Sequence, residues 1–196
     1  MRRLAPLLAL AVALPLAAQT DAGVHVAGAR AGSTVDPSGT TLAFDRGRGF
    51  GASLERGAGA LSFELAATWL RYDGALRAGG ASADAGTLKL VPFTATARWH
   101  FAPREGIDPY VGAGAAYVKA GALSSAALDA LGIGRVEVES KACWLADAGV
   151  AFHLRGFALV VDGKYLDDRP ESGPADARVR LNLKPVVLSV GLRFKL

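Results

Sequence analysis

Residues 88–101, LKLVPFTATARWHF, decide the fold. Val91, Phe93, Ala95, Ala97, Trp99 and Phe101 alternate there with Thr94, Thr96, Arg98 and His100. Successive side chains of an extended chain point to opposite faces, so this is a strand with one apolar and one polar face. The same period recurs on both sides of it. Residues 61–72 set Leu61, Phe63, Leu65, Ala67 and Trp69 against Ser62, Glu64, Ala66 and Thr68, and residues 110–119 set Val111, Ala113, Ala115 and Tyr117 against Gly112 and Gly114. Residues 143–154 set Trp144, Ala146, Ala148, Val150 and Phe152 against Asp147, Gly149 and His153. Residues 157–167 set Phe157, Leu159, Val161 and Tyr165 against Asp162 and Lys164. The tail sets Val186, Leu188, Val190, Leu192, Phe194 and Leu196 against Ser189, Arg193 and Lys195, and two weaker segments, 24–30 and 48–56, bring the total to eight.

The connections alternate in length. Residues 56–59, 102–108 and 155–156 are short turns, whereas 31–47, 73–86, 120–140 and 168–181 are long and rich in Gly, Ser and Asp. Short turns at one end and long loops at the other predict an all-β fold: an eight-stranded antiparallel transmembrane β-barrel, an up-and-down meander with both termini in the periplasm. Leu123, Ala126, Ala127, Leu128 and Leu131 give the third long loop a short helix. Aromatic placement agrees. Trp99, Phe101, Tyr110, Phe152, Phe157 and Phe194 fall at short-turn ends or at the C-terminus, and Trp69, Tyr72, Tyr117, Trp144 and Tyr165 at long-loop ends, which predicts two interfacial girdles around a band of Ala, Val and Leu. A soluble sandwich would hold its large aromatics near strand middles.

Composition removes the other classes. The chain has 196 residues, 51% of them hydrophobic and 20% charged, with one cysteine. That is one domain, too apolar for disorder, without the cysteines for a disulfide scaffold or a zinc ribbon. Cys143 reads as an inward space-filler. Lys and Arg outnumber Asp and Glu only 22 to 18, and Arg2 and Arg3 lie in a leader, so no nucleic-acid footprint exists. Residues 1–22 have the charged, apolar and small-residue order of a secretory signal, with cleavage expected between residues 17 and 22 and residues 23–196 forming the barrel. No cysteine follows the apolar stretch to carry a lipid anchor.

The inward positions carry whatever chemistry there is. Glu64, Arg98, His100, Asp147, His153, Asp162, Lys164 and Arg193 are expected to line the lumen. Side chains nearly fill an eight-stranded barrel and unpaired buried charge is costly, so these groups should pair, Glu64 with Arg98 among them, rather than line a wide hydrophilic pore. His25, His100 and His153 are expected together at the periplasmic rim, as a polar rim and not a metal site, because their strands are not neighbours. Ser33, Ser38, Ser82, Ser124 and Ser125 have no loop histidine to activate them, so no catalytic residue is expected. Residues 47–53, GRGFGAS, lack the Lys-Ser/Thr ending of a phosphate loop, and no cofactor is expected.

Residues 90–118, LVPFTATARWHFAPREGIDPYVGAGAAYV, resemble the outer-membrane protein W (OmpW) family through Pro92, His100, Phe101, Pro103 and the run Pro109 to Gly114. The tail, LNLKPVVLSVGLRFKL, is similar to the family's last strand, and GFALVVDGKYLDD (156–168) to its seventh. Family members usually end in Phe, whereas this chain ends Phe194, Lys195, Leu196. The parity is kept, so Val190, Leu192, Phe194 and Leu196 stand as the C-terminal assembly signal. The resemblance implies a narrow conduit for small hydrophobic molecules that leave sideways into the membrane. It also implies as partners outer-membrane lipid, the barrel-assembly machinery and a small hydrophobic solute. The first half of the chain carries little that is specific to the family, which leaves open a structural or adhesive barrel of the OmpX-like or OmpA-like kind, acting through its extracellular loops.

Overall fold

A computed structural model describes residues 18–32, 34–35, 41–44, 46–78, 80–123, 125–130, 137–172, 179–180 and 183–196. The expected signal, apart from its last residues, lies outside this set, as do Ser33, Ser38 and Ser124.

Eight long strands form the wall: β1 (Gln19–Arg30), β2 (Gly47–Ala58), β3 (Leu61–Ala78), β4 (Ala81–His100), β5 (Ile107–Ala120), β6 (Lys141–His153), β7 (Phe157–Leu166) and β8 (Val186–Lys195). Each pairs antiparallel with its chain neighbour. The ring closes where β8 meets β1, from Asp21↔Lys195 to Arg30↔Val186. Closure leaves no long backbone edge facing lipid, the condition a membrane imposes on a sheet. A short helix, α1 (Ala126–Ala130), sits in the third long loop.

The loop expected over 73–86 is absent. β3 and β4 are 18 and 20 residues long and continue as a hairpin past the girdle, with pairing out to Ala78↔Ala81 and a register shift between Gly74 and Ala75. Gly74 and Ala85 are buried at its base and Leu76 packs on the apolar cluster, but the rest of this hairpin is largely exposed, so its sequence of Ala, Gly, Ser and Asp carries no apolar alternation to betray it. Two short strands, Thr34–Val35 and Thr41–Ala43, extend the same edge by pairing Thr41 with Arg77.

The pleat sorts the residues as lipid requires. Val26, Phe50, Leu65, Trp69, Trp99, Trp144 and Leu188 are all exposed on the outer face, which no water-soluble barrel would tolerate around its whole girth. Inside, two layers are stacked. The half nearer the short turns is polar, with Glu55, Ser62, Glu64, Arg98, His100, Asp108, Asp147, Asp162 and Arg193 buried. The outer half is an apolar cluster that includes Leu70, Tyr72, Leu88, Leu90, Val118, Leu145, Leu166 and Val187, capped by Phe44, Leu123 and Leu183.

Candidate functional site

The polar layer is organised around one guanidinium. Arg98 on β4 is 1% exposed. Its Nε donates to Asp147 Oδ2 at 2.6 Å, its Nη1 to Glu64 Oε2 at 2.6 Å and Glu55 Oε2 at 2.8 Å, and its Nη2 to Asp162 Oδ1 at 3.4 Å. Four strands, β2, β3, β6 and β7, thus converge on a residue of a fifth. Arg193 Nη2 lies 2.9 Å from Glu55 Oε2, Lys164 Nζ lies 3.0 Å from Glu64 Oε1, and Lys164 also donates to Asp162. A planar fork with five donors suits this position better than the point charge of lysine. Isolated charges of this kind would be prohibitively costly inside a barrel; bound to one another they form a cross-brace.

Tyr110 completes the brace. The Arg98 guanidinium carbon stands 4.5 Å from the centre of its ring, and its hydroxyl donates to Asp162 Oδ1 at 3.1 Å. Glycines on neighbouring strands make the room. A Cβ at Gly112 would meet Ala97 O at 2.7 Å and Arg98 Cγ at 3.0 Å, and one at Gly149 would meet Tyr110 Cζ at 2.6 Å. Toward the short turns His100 continues the network, with Nε2 2.9 Å from Ser62 Oγ and 3.2 Å from Glu55 Oε1, and Nδ1 2.8 Å from Asp108 Oδ2. His153 Nε2 stands 3.5 Å from the same Asp108 oxygen. The spaces on either side of the brace are about 20 Å³ each, room for a water and not for a solute. This layer closes the straight route through the barrel.

Glu64, Arg98, His100, Asp147, His153, Asp162, Lys164 and Arg193 all lie on the inner face, and all but His153 and Lys164 are less than 9% exposed. Trp69, Trp99, Phe101, Tyr117, Trp144, Phe157 and Phe194 lie on the outer side, with Phe152 and Tyr165 partly covered there. Val190, Leu192, Phe194 and Leu196 share the outer face of the last strand and its end.

Three expectations are corrected. Tyr110 does not belong to a girdle: it is 2% exposed inside the barrel, because it shares the parity of Gly112 and Gly114 and not that of Val111. Tyr72 is likewise inside and fully buried. His25 is not at the rim with the other histidines. Its strand begins at Gln19, six residues earlier, so His25 sits deep in the wall between Gly51 and Gly191, with Nε2 3.0 Å from Thr68 Oγ1. Sequence reading missed Glu55 and Asp108. The alternation of Phe50, Ala52 and Leu54 places Glu55 inward, but the glycines of that segment weaken the signal; Asp108 was hidden in a segment read as a turn.

The wall has a seam at the level where the two layers meet. The β3–β4 ladder runs up to Ala67↔Phe93 and resumes at Leu70↔Leu90, leaving Thr68 and Trp69 unpaired opposite Pro92 and Val91. Proline has no N–H to give to a ladder. On the lipid side a cleft of about 480 Å³, lined by Ala52, Leu54, Leu65, Ala67 and Phe93 among others, begins beside this seam.

Comparison with known proteins follows the same lines. Residues 57–196 match the model of the OmpW family. Among curated proteins none matches the sequence. Among solved structures, the outer membrane protein OprG from Pseudomonas aeruginosa superposes with a TM-score of 0.78 at 17% identity, covering 92% of this chain and 96% of that one. The outer membrane protein AlkL, solved in lipid bilayers, gives 0.66 at 13% identity over 91% and 90%. Neisserial surface protein A gives 0.57 at 19% identity over 90% and 97%. At these identities the structures share the fold.

Proposed function

We propose, from the premise that this chain belongs to the OmpW family and is an outer-membrane β-barrel, that it is a conduit for small hydrophobic molecules that enter from the long-loop end and leave through the wall. One observation carries the reading: an apolar interior stands directly on a closed ionic layer. A solute of low polarity can exchange the membrane-like packing of Leu70, Leu88, Leu90, Leu145 and Leu166 for its own contacts as those side chains part. It cannot pass the Arg98 brace without breaking several buried ion pairs at once. A sugar or an ion meets both barriers. The nearest exit is the seam at Pro92, where parting the strands breaks fewer backbone hydrogen bonds, and the apolar cleft outside it would receive the solute into lipid.

The test is permeation of two tracers of similar size, one hydrophobic and one hydrophilic, into vesicles with and without the refolded barrel, alongside its conductance in a planar bilayer. Acceleration of the hydrophobic tracer alone, with negligible conductance, is expected. Equal rates with and without the barrel would shift the function to the external loops, and a large conductance would refute the closed layer.

A further inference from the structure

The outer face carries a second pattern, unrelated to the lumen. Arg30, Arg48, Arg71, Lys89 and Lys119 come from five consecutive strands, all point outward on the parity of Val26, Phe50, Trp69, Phe93 and Tyr117, and all are exposed. Three of them are direct cross-strand partners: Arg48↔Arg71 and Arg71↔Lys89. Directly opposed side chains have Cβ atoms roughly 5 Å apart, and like charges in that relation are destabilising unless something of opposite sign lies between them. Among the described residues none of the five makes an ion pair. Two carboxylates stand on that face of the hairpin among the described residues: Asp73, two positions beyond Arg71, bonds to none of the five, and Asp84, farther out opposite Ala75, accepts from Gly86 N. The row stands one step beyond the stacked Phe50–Trp69 pair, whose centroids are 5.7 Å apart, and so at the level where lipid headgroups begin.

Beside the row is an apolar cleft. About 380 Å³ is bounded by Gly28, Val186 and Leu188, with Arg30 and Arg46 at its rim. A Cβ at Gly28 would meet nothing within 4 Å, so the groove is open toward lipid. The short-turn end has no counterpart: exposed Arg104, Glu105, Arg155 and Lys195 mix both signs there. We propose that this basic row with its cleft binds a phosphate-bearing lipid of the outer leaflet, the phosphates bridging Arg48, Arg71 and Lys89 and an acyl chain lying along Gly28 and Leu188. Opposed cations become favourable once an anion with several acceptor oxygens sits among them, and arginine forks match phosphate geometry. The proposal rests on the barrel and its outer face alone and is independent of what passes through the lumen.

Native mass spectrometry of the full refolded barrel in detergent tests it, with lipid A bearing both phosphates as the probe and lipid A stripped of phosphate as the control. The diphosphorylated lipid should bind, and the triple variant R48Q/R71Q/K89Q should bind it on the order of a hundredfold more weakly, taking about 1 kcal/mol per basic residue at an anionic surface. The variant R155Q/K195Q, at the other end of the wall, should bind as the parent does, and retained heat-modifiable gel mobility certifies that each variant folds. Equal binding of the phosphate-free lipid, an unchanged triple variant or an equal loss in R155Q/K195Q would overturn the proposal. So would displacement of the lipid by inorganic phosphate or a sulfated oligosaccharide at equal concentration, which would assign the row to a soluble anion.

Discussion

Arg98 and Tyr110 lie diagonally across the β4–β5 pair, the guanidinium carbon 4.5 Å from the ring centre, so this fully buried cation is held by carboxylates around its edge and by an aromatic face. Replacing Arg98 by Met leaves Glu55, Glu64, Asp147 and Asp162 facing one another without their shared partner. Breaking a buried ion pair from one side costs about 3–5 kcal/mol, and this change should cost at least that. Lysine at the same place should recover only part, since it offers one charge centre to four carboxylates. The urea midpoint of the refolded barrel, followed by heat-modifiable mobility, measures both; a midpoint unchanged by Arg98→Met would remove the brace from the account.

Gly149 and Tyr110 should couple. A side chain at 149 falls on the Tyr110 ring, so Gly149→Val is expected to cost about 1–3 kcal/mol by overpacking. In a Tyr110→Ala background the ring contacts are gone and only the Val161 carbonyl, 2.6 Å from the added Cβ, still opposes it, so the same substitution should cost clearly less. Additive losses in the double-mutant cycle would show that the ring does not occupy the place given to it here.

At the outer mouth, Asp168 is 1% exposed beyond the end of β7. Burial raises its carboxyl to about 6, eased by Lys141 and reinforced by the adjacent Asp167. A folded-state value above the unfolded one means that the folded protein holds the proton more tightly, so stability is full below about pH 4 and falls as pH rises toward about 6, by on the order of 2 kcal/mol. Asp168→Asn should therefore stabilise the barrel at pH 7 and make no difference at pH 3.5. Denaturation midpoints at the two pH values check this; a penalty from the substitution at pH 7 would contradict it.

The start of the mature chain can be narrowed within the expected interval of residues 17–22. β1 begins at Gln19 and pairs Gln19↔Gly57, Thr20↔Arg56 and Asp21↔Glu55, and Leu196 N donates to Thr20 O at 2.9 Å. Cleavage after Asp21 would strip these partners from β2 and from the closing strand. The intact mass of the exported protein should place its N-terminus at or before Gln19; a mature chain beginning at Ala22 or later would refute the role of those residues in closure.

Alternation made most of this molecule legible. Wherever one face meets lipid and the other a packed lumen, the period is unambiguous, and Arg98, Asp147 and Asp162 could be placed inside from their neighbours alone. What escaped has physical reasons. The hairpin above the girdle is largely exposed beyond Gly74 and Ala85 and carries no period. Gly47, Gly49 and Gly51 blur β2 and with it Glu55: Gly47 and Gly51 leave room for the rings of Tyr72 and His25 from neighbouring strands, and Gly49 for the close approach of the Trp69 backbone. Residue type points Tyr110 to a girdle, whereas its parity with Gly112 and Gly114 points it inward. Convergence of four carboxylates on one arginine depends on registers between strands distant in sequence, which alternation does not encode. The basic row on the outer face escaped for the same reason, since Arg48, Arg71 and Lys89 become neighbours only through pairing.

The sideways route is tested most directly by closing the seam. Trp69 and Val91 face each other by continuation of the β3–β4 register, both on the lipid side. Cysteines at these two positions, in a Cys143→Ala background, can form a cross-strand disulfide over the gap left by Pro92. Permeation of a hydrophobic tracer into vesicles holding this variant should fall to the protein-free rate when the pair is oxidised and recover on reduction. A rate unaffected by a fully formed cross-link would contradict exit through this wall.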